Sequence, residues 1–277
     1  MDKVRIEMKR LLLVCLLLIA SVIMVSCGGN VTTPTAAWAG IEVLNYAVED
    51  SNGQNLGTMT TTMRRKSTEG FSYVLEDKEY ATADCRMTME LDTLEYQITT
   101  TILAKGMNTL AAKKVFVDKK DNANNYTMVG YQDGKRFVYT IDGKSQKKLN
   151  VGNANYCLNE FLYMYIRCYG IDSVPGQINI PDIQNGTVIK VVASAKTKAK
   201  NFEAVPYPDE AKTVLCNKVD ISLKDSPVGK AITVYYTPDQ DVYNIDSFAS
   251  TATTTKKIPV QIIENNITYK LTDIFVA

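Results

Sequence analysis

Residues 84–92 alternate with period two: Cys85, Met87, Met89 and Leu91 on one side, Asp84, Arg86, Thr88, Glu90 and Asp92 on the other. Such a segment can only be satisfied as a strand with one buried and one wet face. Shorter versions recur at Leu44/Tyr46/Val48, Phe71/Tyr73/Leu75, Tyr96/Ile98/Thr100/Ile102, Tyr126/Met128 and Phe137/Tyr139/Ile141, with Met59 and Met63 on one face of 56–65. Turn-forming runs at 51–54, 119–122 and 132–135 separate them, so the strands are expected to pair antiparallel as a meander. The pattern returns at 187–195, 214–223, 230–237, 258–263 and 267–271, with Glu264-Asn265-Asn266 a tight-hairpin signal because Asn tolerates positive φ.

The alternation breaks once. Residues 153–169 carry Tyr156, Cys157, Leu158, Phe161, Leu162, Tyr163, Met164, Tyr165, Ile166, Cys168 and Tyr169. This reads as a helix apolar nearly all round, capped by Asn153 or Asn155, ended by Gly170, and wet only along Asn159 and Glu160. Strands, one helix, then strands predict a mainly β chain. Its sheet is one large antiparallel curved sheet or open half-barrel, with the helix against the concave face.

The N-terminus supplies an address. Lys9 and Arg10 lead into an apolar run over 11–25, then Ser26-Cys27-Gly28-Gly29-Asn30. The run is short of the roughly 20 residues a spanning helix needs. A small residue before a cysteine at its end is the bacterial lipoprotein signal. Residues 1–26 are read as that signal, Cys27 as the lipidation site and the membrane anchor, 27–39 as a flexible tether and 40–277 as the barrel domain. Residues 28–35 contain no acidic residue, which points to the outer membrane, facing the periplasm.

Several functions are excluded or disfavoured. Without residues 1–26 the chain keeps 27 basic and 28 acidic residues, so no positive excess exists to hold nucleic acid. The chain has no histidine. That removes Ser-His-Asp and Cys-His catalysis and His-ligated zinc. There is no Gly-rich phosphate loop, CxxC or EF-hand loop, and the reading names no catalytic residue, metal ligand or cofactor. Arg64-Arg65-Lys66 and Lys196/Lys198/Lys200 read as solvated faces, and the acids at 76–77 and 239/241 as turns. Cys85, Cys157, Cys168 and Cys216 remain in the mature chain, allowing three complete pairings. Placing Cys157 and Cys168 on one helix separates them by roughly 16 Å, so a bridge would need Cys85 or Cys216. Four buried thiols are the other reading.

Five segments carry a resemblance. Glu42-Val43-Leu44-Asn45-Tyr46 followed by Asn55-Leu56-Gly57-Thr58, and later 214–219, 231–239 and 258–262, resemble an exported domain-of-unknown-function family, number three thousand one hundred and eight. Tyr235 stands where that family usually has Trp. The resemblance implies an open β half-barrel like the lipoprotein carrier LolA and receptor LolB, which hold acyl chains in the concavity. The leading expectation is therefore a non-enzymatic envelope lipoprotein binding a lipid or other apolar ligand. Phe71, Tyr73, Met87, Met89, Leu91, Phe161, Tyr163 and Tyr165 are its expected lining. The alternatives are an envelope scaffold or assembly partner with a filled core and, less favoured, a carboxylate-dependent glycan hydrolase.

Overall fold

The computed structural model describes Trp38 and residues 40–65, 73–75, 78–80, 82–103, 107–152, 155–168, 177–194, 202–206, 213–223, 231–237 and 257–276. The signal, Cys27 and the tether up to residue 37 lie outside them, as does Phe71. No helix among the described residues is long and apolar enough to cross a membrane.

Period two translates directly into sheet. In β1 (Ile41–Glu49) every second residue, Glu42, Leu44, Tyr46 and Val48, is buried. β2 (Asn55–Arg65) runs back along β1 and puts Met59 and Met63 inside. β3 (Tyr73–Leu75) and β4 (Lys78–Tyr80) form a separate two-stranded pairing. β5 (Thr82–Leu91) pairs β2, and β6 (Leu94–Leu103), β7 (Thr109–Asp118), β8 (Tyr126–Asp133), β9 (Arg136–Ile141) and β10 (Lys147–Asn150) follow as an antiparallel meander. Gly57 is required between β2 and β5: its φ is +141°, and a Cβ there would collide with the carbonyl oxygen of Glu90.

The second half mirrors the first: β11 (Ile178–Asp182), β12 (Thr187–Ser194), β13 (Phe202–Pro206), β14 (Thr213–Leu223), β15 (Ala231–Tyr236), β16 (Pro259–Glu264) and β17 (Ile267–Val276). β12 and β13 pair different parts of the same side of β14. The β16–β17 hairpin turns on Asn265 and Asn266, with φ of 51° and 65°. Two successive positive φ values match the twist of the flanking strands. β17 then pairs β1 from Glu42–Val276 to Glu49–Thr268, joining the halves into one fifteen-stranded antiparallel sheet whose free ends are β10 and β11.

Val151 and residues 155–157 stitch that remaining seam. Asn179 of β11 donates from Nδ2 to the Val151 carbonyl (2.8 Å) and from its backbone N to Asn155 O (2.9 Å), and accepts from Cys157 N (3.3 Å). Across the same gap Tyr139 Oη donates to Ile183 O (3.1 Å). The sheet is thus nearly closed into a barrel.

The helix is much shorter than its composition suggests. A 3-10 turn at Asn159–Phe161 leads into α1 (Leu162–Arg167), whose six residues are all buried. Tyr156 instead forms an extended bridge with Asn179, and its N–H bonds Asn108 Oδ1 (3.2 Å). Partners on the seam satisfy the backbone of 155–157, so those residues have no need of helical bonds. Cys157 and Cys168 consequently do not share a helix, which removes the spacing argument against their pairing. None of the four described cysteines forms a disulfide. Cys85 faces the main core, whereas Cys216 sits with Tyr235 and Val260 in a separate apolar cluster. A Cys85–Cys216 bridge, one of the pairings the sequence leaves open, is not formed: the sheet puts the two residues in different cores.

Candidate functional site

Among the described residues three zones of the barrel interior stand out, and α1 touches each. At one mouth lies a cleft of about 50 Å³ between the 3-10 turn and the strands. Met59 of β2 and Met87 and Met89 of β5 form one wall, Ile232 and Ile262 another, and Tyr96, Tyr163 and Tyr269 contribute ring faces. Tyr96 Oη lies 3.5 Å from Met87 Sδ and Tyr163 Oη 3.8 Å from Met59 Sδ, as weak O–H···S contacts. Burial pushes both hydroxyls well above the usual tyrosine pKa, so they stay protonated.

Asn159, Glu160 and Glu264 bring polar atoms to this mouth. Glu160 is not the free, water-facing carboxylate its place in the sequence suggests. Lys114 Nζ approaches its Oε1 to 2.5 Å, and both side chains are about one-seventh exposed. The ammonium also lies 5.0 Å from the centre of the Tyr96 ring and 5.8 Å from that of Tyr126. Burial alone would lower the lysine pKa, but the carboxylate outweighs it and the net displacement is upward. Lys114 is a fixed cation.

Deeper in, a cavity of about 10 Å³ is lined by Met63, Cys85, Met107, Thr109, Cys157, Phe161, Met164 and Tyr165. Burial raises the pKa of Cys85 and Cys157, and that of Cys216 to about 12. These are neutral thiols without nucleophilic character at physiological pH.

The third zone is a buried ion pair. Arg167, at the end of α1, grips Glu42 of β1 with Nη1–Oε1 at 2.6 Å and Nη2–Oε2 at 2.7 Å, and neither side chain is exposed. The guanidinium carbon lies 5.9 Å from the centre of the Trp38 ring. Desolvation would lower the arginine pKa, but Glu42 overrides it and the net shift is upward. Tyr46 Oη donates to Pro259 O (2.9 Å), and Tyr236 Oη donates to the Tyr163 carbonyl (2.6 Å). The last bond ties α1 directly to β15.

Of the expected lining residues, Met87, Met89 and Tyr163 meet at the cleft, while Phe161 and Tyr165 face the smaller cavity. Leu91 is half-buried against the core. Tyr73 belongs to β3, and its side chain, like Phe71, lies outside the described residues. Sequence reasoning missed Met59 as a cleft residue because its pairing with Met89 depends on the β2–β5 register. It also missed the Glu42–Arg167 pair. A signal existed there: Glu42 occupies the inward register of Leu44, Tyr46 and Val48, and a carboxylate in a core register requires a partner.

Two carboxylates are therefore committed to cations, and among the described residues no three His, Cys, Asp or Glu side chains gather as a metal site. Fold and site together define a nearly closed antiparallel β-barrel whose interior is occupied by a short helix. No family model and no curated protein matches the chain. Its structure is similar to that of a beta-barrel-like protein of domain of unknown function DUF1849 from Brucella abortus. The two are 11% identical, with a TM-score of 0.48, over 87% of this chain and 99% of that one.

Proposed function

We propose that this is a non-enzymatic protein of the cell envelope, held by a lipid on Cys27 at the outer membrane and facing the periplasm. Its barrel is a filled body that works by contact with other envelope components. The size of the cleft among the described residues carries this reading. Pockets that bury a small ligand run to about 300–1,000 Å³, whereas the cleft offers about 50 Å³. Six consecutive buried residues of α1 occupy the room an acyl chain would need.

A second reading, the apolar carrier, is favoured by one observation. The cleft wall is built from three methionines and three tyrosines, side chains that adapt to irregular apolar surfaces and still offer polar tips. It requires α1 to leave the interior. Native mass spectrometry of protein purified without detergent separates the two. The filled barrel gives the bare polypeptide mass plus its own acyl groups, and a carrier retains additional lipid. In the same preparation Cys27→Ser must abolish palmitate labelling, and a labelled variant overturns the anchor.

A further inference from the structure

We propose that Met59, Met87 and Met89 form a thioether site for a soft monovalent cation, Cu(I), at the barrel mouth. The register puts the three side chains on one face of adjoining strands. Met59 is the direct cross-strand partner of Met89 in the β2–β5 ladder, and Met87 lies two residues along the same face. Directly opposed residues have Cβ atoms about 4.5–5.5 Å apart, close enough for unbranched thioethers to converge on one point.

The three residues also border a cleft. Each methionine is at most 5% exposed, yet all three line the 50 Å³ cleft rather than closed core. Tyr96 and Tyr163 hydroxyls lie against the sulfurs of Met87 and Met59 as weak O–H···S contacts, which a bound cation would displace. The cleft exceeds the ~10–15 Å³ one water needs, so a bare cation enters with α1 in place. Of the two carboxylates at the rim, Glu160 is already neutralised by Lys114, which leaves Glu264 as the further acidic group lining the cleft.

Donor chemistry selects the ion. Thioethers are soft ligands that favour Cu(I), whereas Zn(II) prefers imidazole, thiolate or carboxylate. The chain contains no imidazole, and the four described thiols are buried and outside this cleft. Simple gap-filling by methionine is the competing account, and it predicts no difference between Met and Leu at these positions. Leucine nearly conserves the volume, which makes the substitution a direct discriminator.

The test is an anaerobic titration of the purified full chain with Cu(I) against a bicinchoninate competitor, repeated with Ag(I) by calorimetry. The site predicts one tightly held equivalent and an X-ray absorption edge with sulfur-only scattering. Met59→Leu/Met89→Leu should weaken binding on the order of 100-fold or more with an unchanged melting temperature. Cys85→Ala/Cys157→Ala should leave it intact. Wild-type protein that fails to compete for Cu(I) overturns the proposal without any variant. So does full binding by the leucine double variant, or binding lost only when the thiols are removed. If the leucine variant fails to fold, the wild-type absorption spectrum decides: nitrogen or oxygen scatterers in place of sulfur overturn it.

Discussion

Replacing Arg167 by Met would remove one half of a fully buried ion pair and leave Glu42 in the core without its counter-charge. Both side chains are inaccessible, and the two contacts are 2.6 and 2.7 Å. At an effective dielectric near 20, charges about 4 Å apart attract by about 4 kcal/mol. Measured costs of breaking such pairs are about 3–5 kcal/mol, dominated by the stranded charge. The guanidinium also loses its place near the Trp38 ring, which adds about 0.5–2 kcal/mol. Arg167→Met should therefore cost about 4–6 kcal/mol, a large part of the ~5–15 kcal/mol total for a folded domain. Glu42→Leu should cost a comparable amount by stranding the cation. The double variant Glu42→Leu/Arg167→Met strands neither charge and should be close to wild type or more stable by up to about 4 kcal/mol. Urea unfolding followed by fluorescence reads this well, because Trp38 is the chain's one tryptophan and sits at the pair. Single variants each costing under about 1 kcal/mol, or a double variant costing the sum of the singles, would refute the assignment of a desolvated pair.

Other perturbations read other zones. Phe161→Ala should destabilise by about 3–5 kcal/mol because the ring is 5% exposed beside a cavity of only about 10 Å³. Tyr163→Ala opens directly into the larger cleft and should cost less; equal losses in denaturant titrations would contradict the two-zone interior. Burial raises the hydroxyls of Tyr46, Tyr96, Tyr163 and Tyr236 well above the usual value of 10. The folded state thus keeps protons that the unfolded chain releases. That stability is complete below about pH 10, then falls by about 1.4 kcal/mol per pH unit per tyrosine until the folded values are passed. Base unfolding should be steep, with Tyr46→Phe/Tyr236→Phe visibly flattening it; a pH-independent midpoint from 9 to 12 would count against buried phenols. Reducing agent should leave the urea midpoint unchanged, since Cys85 and Cys216 occupy separate cores, and a drop of ~2–5 kcal/mol would reveal a bridge.

The strands were legible wherever one face is wet. The alternation at 84–92 maps onto β5, and Asn265-Asn266 onto a turn with two positive φ values. The short strands β10, β11 and β13 have too few residues for a period to emerge. Residues 155–157 look helical because Tyr156, Cys157 and Leu158 are continuously apolar. Their conformation is decided by Asn108 and Asn179, distant side chains that no local pattern announces. The same limit applies to the site. Met87 and Met89 were visible as one face of one strand, but their meeting with Met59 required register, and Glu42 finds Arg167 across 125 residues.

Native-state hydrogen exchange of the α1 amides tests the filled barrel most directly. The helix is buried throughout, bonded to β15 through Tyr163 and Tyr236, and locked to β1 through Arg167 and Glu42. A segment packed this way opens only when the whole barrel unfolds. Protection at Met164–Cys168 should match that of the β1 and β17 amides and fall in parallel with them in denaturant. Exchange there many orders faster than in β1, with the strands still protected, would mean that α1 leaves a folded barrel, and the filled-body account would fall in favour of a carrier with a movable plug.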